Sequence, residues 1–315
     1  MTKTAIIAFG GNALSPKGES GDIQQQFSRT RESLDAVLHF VQQNYNLCLT
    51  HGNGPQVGDE LLRMELTHEV ISPLPLGVCV AATQGTIGYM IQQSLQNILK
   101  SAHIDREVTT LITQVIVDPK DPSISNPSKF IGRTYPLKEA QRLAKKFKWS
   151  ICEQNPNLWR RVVASPMPQF VMHGKSIKTL VDNGTIVLAS GGGGIPAYYD
   201  DKGNLEGLDA VVDKDLSAAL LGRVIRAQEL WIITDVDYVM LNFGTTSEQT
   251  IQEMSAEEAV NHLNQGQFQS GSMEPKIKAA LYFLKYHGQK VVITSIPQVK
   301  NALEGKTGTI IRKTR

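Results

Sequence analysis

Thr4-Ala5-Ile6-Ile7-Ala8-Phe9-Gly10-Gly11-Asn12 is a short apolar run that stops where two glycines begin. Four to eight apolar residues bounded by turn signals read as a strand covered on both faces. The pattern recurs twice: residues 46–50 lead into Gly52-Asn53-Gly54, and residues 185–190 lead into Gly191, Gly192, Gly193 and Gly194. Glycine at the carboxyl end of a strand lets bare main-chain N–H groups approach a ligand, and successive N–H groups make a positive concavity suited to phosphate or carboxylate. Ligands of open α/β sheets gather at that edge. Three such turns in one chain predict a site that holds several anionic groups at once, which points to phosphate chemistry.

Outward from these turns, strand-like runs alternate with helical patterns, predicting a mostly parallel sheet between helical layers. Ile23, Phe27, Leu34, Val37, Leu38 and Val41 fall at helical spacing, and Pro55 suits the first turn of a helix after Gly54. Ile87, Met90, Ile91, Leu95, Ile98 and Leu99 give residues 86–99 an apolar face wide enough for core or for a subunit contact. Residues 108–117 read as one long strand. Pro119, Pro122 and Pro127 then change the texture, and residues 118–165 read as an excursion with a helix near 137–147, suited to a lid. A helix and strand close this half. After residue 209 the expected order is helix 216–225, strand 230–234, a hairpin-like stretch near 238–243, a helix opened by the Ser255/Glu258 capping box, helix 275–286, strand 290–294, a short helix and a last strand near 309–311.

A chain of 315 residues buries a sizeable core without staples, as one large domain or two lobes. Cys48, Cys79 and Cys152 have no CxxC spacing, so the reading is free buried thiols in a reducing cytoplasm rather than zinc ligands or disulfides. With 32 basic against 30 acidic residues and 6% aromatics, nothing favours nucleic acid. No apolar run approaches the ~18–20 residues of a membrane helix, which predicts no membrane span.

There is no G-x-x-x-x-G-K-[ST] loop and no HRD or DFG set. Gly52 to Gly58 sets its last glycine one position late for a dinucleotide fingerprint, leaving a nicotinamide enzyme the weaker second choice. Lys129, Lys214 and Lys276 stand where loops meet helices, a setting suited to phosphoryl transfer, in which the protein mainly positions and neutralises charge. Asp213 and Asp215 are placed to orient Lys214 or to position magnesium, and the sequence leaves that choice open. Taken singly, each lysine also fits a solvated surface and each glycine a tight turn. His51 has no partner at metal-ligand spacing and reads as structural. No base is paired with a nucleophile, which favours an acceptor that is already anionic, a carboxylate or carbamate.

The segments AFGGNAL, THGNGPQVG, TQGTIGY, TQVIVDPKDP, NPSKFIG, SGGGGIP, AVVDKDLSAALL, ITDVDYV, GSMEPKI and EGKTGT occur in that order from Ala8 to the end of the chain. With these blocks the chain resembles the carbamate kinases of the amino acid kinase superfamily along its whole length. The resemblance implies an open αβα sandwich with a mostly parallel central sheet and a small protruding lid subdomain, over a single unit spanning 1–315. An N lobe of about 1–209, carrying lid 118–165, would hold the acceptor, and a C lobe of about 210–315 the nucleotide.

It further implies a homodimer, and reversible phosphoryl transfer between ATP and carbamate to give ADP and carbamoyl phosphate, with Mg2+. Carried over by position, Gly10, Gly11 and Asn12 match the turn around the transferred phosphate, and Gly52 and Asn53 the acceptor turn, with Gly191 and Gly192 beside them. Lys129, Lys214 and Lys276 match phosphate-contacting lysines, Asp215 the acid beside the second, and Thr234, Asp235, Gly271, Ser272 and Met273 the nucleotide side. One block departs. Where the family tends to E-D-x-G-R-G before an aromatic-R-[RK]-V-V segment, residues 153–158 read Glu-Gln-Asn-Pro-Asn-Leu before Trp159-Arg160-Arg161-Val162-Val163. Phe130 replaces a usual proline. The altered lid keeps two alternatives open: a kinase of this fold acting on another small carboxylate, and a nucleotide-binding paralogue without catalysis.

Overall fold

The computed structural model describes residues 2–11, 22–269 and 271–314. β1 (Thr4–Phe9) is buried along its length and divides its side chains between two cores, Ile6 and Ala8 facing one, Ala5, Ile7 and Phe9 the other. This is the period-two geometry of a strand covered on both faces, and it sets the layers of the molecule.

From β1 the chain passes through α1 (Ile23–Gln42) to β2 (Asn46–His51), then through α2 (Gly54–Thr67) and α3 (Leu76–Ser101) to β3 (Val108–Thr110) and β4 (Gln114–Val117). The excursion follows as β5 (Lys129–Tyr135), α4 (Leu137–Phe147), β6 (Ser150–Asn155) and β7 (Leu158–Val163). β8 (Pro168–Val171), α5 (Gly174–Asp182), β9 (Ile186–Leu188), β10 (Ile195–Tyr199) and β11 (Leu205–Gly207) complete the first part. The rest is α6 (Lys214–Ile225), β12 (Glu229–Thr234), the hairpin β13 (Val239–Leu241) and β14 (Gln249–Ile251), β15 (Glu253–Ser255), α7 (Ala256–Asn264), α8 (Met273–Lys285), β16 (Lys290–Ser295) and β17 (Thr309–Arg312).

The main sheet runs β15-β17-β16-β12-β1-β2-β9-β3. Its pairs are parallel except β16 with β17. α1 and α3 cover one face through Leu34, Val37, Phe40, Ile87, Met90 and Leu95; α5, α6 and α8 cover the other through Ile177, Leu221, Ile277 and Phe283. The expected αβα sandwich is present. The lid is an antiparallel sheet, β5-β7-β6, with α4 beside it, and a fourth group, β11-β10-β4-β8, links lid and body. The capping box forms as read: Ser255 Oγ accepts from Glu258 N–H at 3.1 Å, and Glu258 Oε2 accepts from Ser255 N–H at 2.7 Å.

Two expectations need correction. Residues 108–117 are two strands in two sheets rather than one strand, because the chain changes partner at Thr113. Leu111 N–H still donates to Leu188 O (2.9 Å), whereas Thr113 O accepts from Ile195 N–H (2.9 Å). The side chain of Gln84 fixes the break: its Oε1 accepts from Thr113 N–H at 2.8 Å and its Nε2 donates to Thr113 O at 3.1 Å. Cys48 and Cys79 are buried free thiols, but Cys152 is exposed, since β6 turns most of its residues to solvent. Among the described residues no helix is long and apolar enough to cross a membrane.

Candidate active site

The glycine turns meet at the carboxyl edge of the main sheet. Gly10 N–H donates to Ile233 O (2.9 Å) and Gly52 N–H to Phe9 O (3.0 Å), so these two amides are spent on the sheet rather than left bare. Gly54 opens α2, where the first-turn N–H groups have no intrahelical acceptor and suit an anion. The turns touch: a Cβ on Gly52 would stand 2.7 Å from Gly11 N. Asn53 is buried and held by Thr83, whose Oγ1 accepts from Asn53 Nδ2 at 2.9 Å. Of the third turn, Gly192 lines the inner pocket, while Gly191 packs behind it, where a Cβ would lie 2.4 Å from His51 Nε2. Gln84 Nε2 donates to Gly191 O at 3.0 Å and ties this turn to α3. Asn12 lies outside the described residues.

Opposite the turns, three lysines from distant parts of the chain converge on two aspartates. Lys129, at the start of β5 in the lid, donates to Asp213 Oδ2 at 3.0 Å. Lys214, the first residue of α6, reaches Asp215 Oδ1 at 2.5 Å, and Lys276, in the first turn of α8, lies 3.6 Å from Asp215 Oδ2. Lys276 also donates to Ser272 O at 3.2 Å. Asp215 and the side chains of Lys214 and Lys276 are largely shielded from water, so their charges act in a low effective dielectric.

Asp213 has a double task. As the residue before α6 it caps the helix, its Oδ1 accepting from Asp215 N–H (3.0 Å) and Leu216 N–H (3.3 Å), while Oδ2 holds the lid lysine. Burial pushes its carboxyl up, but Lys129, the helix N–H groups and Lys214 outweigh this and hold it below the usual carboxylate value. Asp213→Ala is expected to cost about 1–2 kcal/mol of stability through the lost cap, with Asp213→Asn keeping most of it because asparagine caps equally well. Urea denaturation checks this; equal losses in both variants would remove the cap assignment.

Two cavities share the lysines. An inner pocket of about 220 Å³ is lined by Gly52, Asn53, Gly54 and Gly192, by Lys129 and Arg160 of the lid, and by Asp213, Lys214, Asp215, Gly271, Ser272 and Lys276. An outer cleft of about 1470 Å³ holds the same three lysines together with Gly10, Gly11, Thr234, Asp235, Gly271 and Ser272. The cleft matches a nucleotide in size, the pocket a small acceptor. The three lysines therefore line both spaces. Met273 packs against the core instead of lining either space. The lid tip, Gln154 and Asn155, borders the outer cleft.

Thr83, Gln84 and Arg160 were not among the site residues read from the sequence. The first two open the TQGTIGY block, which carried the resemblance without a role for either; both are buried on the inward face of α3. Among the described residues no group of three His, Cys, Asp or Glu is arranged to hold a metal ion.

A glycine-edged sheet with a lysine cluster between a nucleotide-sized cleft and a small pocket defines a phosphotransferase of the α/β class. The chain belongs to the amino acid kinase family, whose model matches residues 3–295. It is 41% identical over 311 residues to the carbamate kinase of Pyrococcus furiosus, covering 98% of this chain and 99% of that one. It is also 41% identical over 317 residues to the carbamate kinase-like protein YahI of Escherichia coli, over the full length of both. Among solved structures, carbamate kinase from Giardia lamblia bound to AMP-PNP superposes with a TM-score of 0.92 at 37% identity, covering 99% of this chain and 98% of that one.

Proposed function

We propose that this chain is a carbamate kinase, catalysing reversible phosphoryl transfer, ATP + carbamate = ADP + carbamoyl phosphate. The observation that carries the reading is the junction: Lys129, Lys214 and Lys276 each border both the outer cleft and the inner pocket. A phosphoryl group in transit spreads charge over its equatorial oxygens, and catalysis is then mostly alignment and neutralisation. Each ammonium ~4 Å from that charge contributes about 4 kcal/mol at an effective dielectric of ~20. Carbamate is anionic already, so its oxygen attacks without a base to deprotonate it.

In this reading the lysines flank the moving phosphoryl group and Asp215 orients Lys214 and Lys276. Gly10, Gly11 and Asn12 wrap the phosphate; Gly52, Asn53, Gly191 and Gly192 form or support the acceptor wall. Thr234, Asp235, Gly271 and Ser272 belong to the nucleotide side, with Met273 packed against the core behind them, in a C lobe of about 210–315, against an acceptor lobe of about 1–209 with lid 118–165. Mg2+ fits as an ion carried by the nucleotide phosphates, since Asp213 and Asp215 are held by lysines and no group of three carboxylates, His or Cys among the described residues forms a cage. Bound there, it would neutralise charge on the β and γ oxygens. A homodimer in the cytoplasm completes the proposal.

Coupled detection of ATP from carbamoyl phosphate and ADP, with magnesium, tests it. Turnover well above background is expected; none from well-folded protein overturns it. The lid tip at 153–158 favours one second reading, a kinase of this fold for another small carboxylate. A panel of acceptors decides, and a wide preference for carbamoyl phosphate removes that alternative.

A further inference from the structure

β7 carries two adjacent arginines whose surroundings differ. Arg161 lies 3.4 Å from Asp209 and 5.1 Å over the ring of Trp149, and burial of its guanidinium is offset by Asp209 and Glu65. It is a neutralised, structural cation. Arg160, one residue earlier and so on the opposite face of the strand, lines the inner pocket with Lys129, Gly52, Asn53 and Gly54. Its Nε donates to Gly132 O at 2.8 Å and its Nη1 to Gln154 Oε1 at 3.2 Å. Both acceptors are neutral. Among the described residues no carboxylate stands within ion-pair distance of Arg160, and burial alone acts on its guanidinium, pushing its pKa down with no negative charge to offset it.

A partly buried, unneutralised guanidinium is costly, and it is relieved by an anion. Arginine presents five N–H donors in a planar fork that matches a carboxylate. Two of them are used to hold the group still. The rest remain in the pocket that Arg160 shares with Gly52, Asn53, Gly54 and the three lysines. Counting Arg160, four cations line the pocket against Asp213 and Asp215, a surplus of two positive charges for an anionic guest.

We propose that Arg160 binds the carboxylate of the acceptor in the inner pocket, and that Gln154 holds the guanidinium in place without cancelling its charge. The inference rests on reading this pocket as the acceptor side of a phosphotransferase. In carbamate, one oxygen attacks the phosphorus and the other accepts from Arg160; the transferred group bonds only to the first. Because Arg160 and Gln154 both belong to the lid, acceptor binding also draws the lid strand onto the site.

The probe is phosphonoformate, which joins a carboxylate and a phosphonate in one small molecule, titrated calorimetrically into the full chain with and without Mg-ADP. Arg160→Gln is expected to weaken phosphonoformate by about tenfold or more, the range of a lost charge-assisted pair. Arg160→Lys should recover part of the affinity, keeping charge but not the fork. ADP affinity should change less than about threefold, because the contact is to the acceptor. Thermal melts of Arg160→Gln and Arg160→Lys guard against loss of fold. Unchanged phosphonoformate binding in Arg160→Gln, no binding to the wild type, or equal weakening of ADP and probe overturns the proposal. Probe binding through Arg160 without ATP formation from carbamoyl phosphate would overturn carbamate as acceptor and leave Arg160's role standing.

Discussion

Lys214→Ala is expected to lower kcat by roughly 10² or more while the fold survives, the loss typical of removing one preorganised donor to a developing charge. Lys214 begins α6, where its main chain is fixed by the Asp213 cap, and its ammonium is held on Asp215 at 2.5 Å. Truncation leaves that backbone geometry in place and leaves Lys276 as a partner for Asp215, so the change removes one charge and not the site. Binding of ADP should weaken far less than kcat falls, since the proposed nucleotide cleft keeps Thr234, Asp235, Gly271 and Ser272 in its lining. Lys214→Arg should restore little, because a wide planar fork does not replace a compact point charge between two carboxylate-held neighbours. Steady-state kinetics with circular dichroism on the same samples decide the matter. Near-normal turnover in the alanine variant would remove Lys214 from the reaction, and a double variant with Lys276→Ala should fall by less than the product of the single effects.

The parts of the molecule legible in the sequence were those encoded locally. β1, β2 and β9 are runs of buried residues ended by glycine, and the pattern that marks them is the pattern that folds them. The lid helix Leu137–Phe147 and the Ser255/Glu258 cap are likewise set by residues within a few positions of each other. The site was legible only in pieces. Lys129 and Asp213 meet across 84 residues, Asn53 and Thr83 across 30, and Gln84 and Gly191 across 107. No spacing rule spans such distances; the settings of the three lysines picked them out together, and the resemblance then matched them to phosphate-contacting positions. Gln84 also explains the misread strand: residues 108–117 have a strand's composition throughout, but a glutamine side chain takes both main-chain groups of Thr113. The glycine turns had a mixed signal for a similar reason. Glycine is required at Gly52 and Gly191 by the closeness of Gly11 and His51, and that need is written in the same letter as a need for ligand contact.

The same crowding gives the protein an acid-sensitive point. His51 ends β2, is almost fully buried, lies with Nδ1 3.0 Å from Gly52 O, and has Gly191 packed against Nε2. Burial pushes its imidazole down from 6.5 to about 4, opposed by the Gly52 carbonyl and aided by the charge of Lys214. Between these values the unfolded chain binds a proton at this position and the folded chain does not, so stability falls as the pH falls. The contribution is complete above about pH 6.5, shrinks through the window, and levels off below about pH 4. At 1.36 kcal/mol per unit the loss is about 3 kcal/mol. His51→Gln has no such titration, so its denaturation free energy should drop less than the wild type's between pH 7 and pH 4, by about that amount, whatever its absolute stability. The carboxylates titrate in both proteins and cancel in the comparison. Parallel curves would mean that the imidazole accepts its proton inside the fold, which would require the Gly191 turn to move off it and the acceptor wall to open with it.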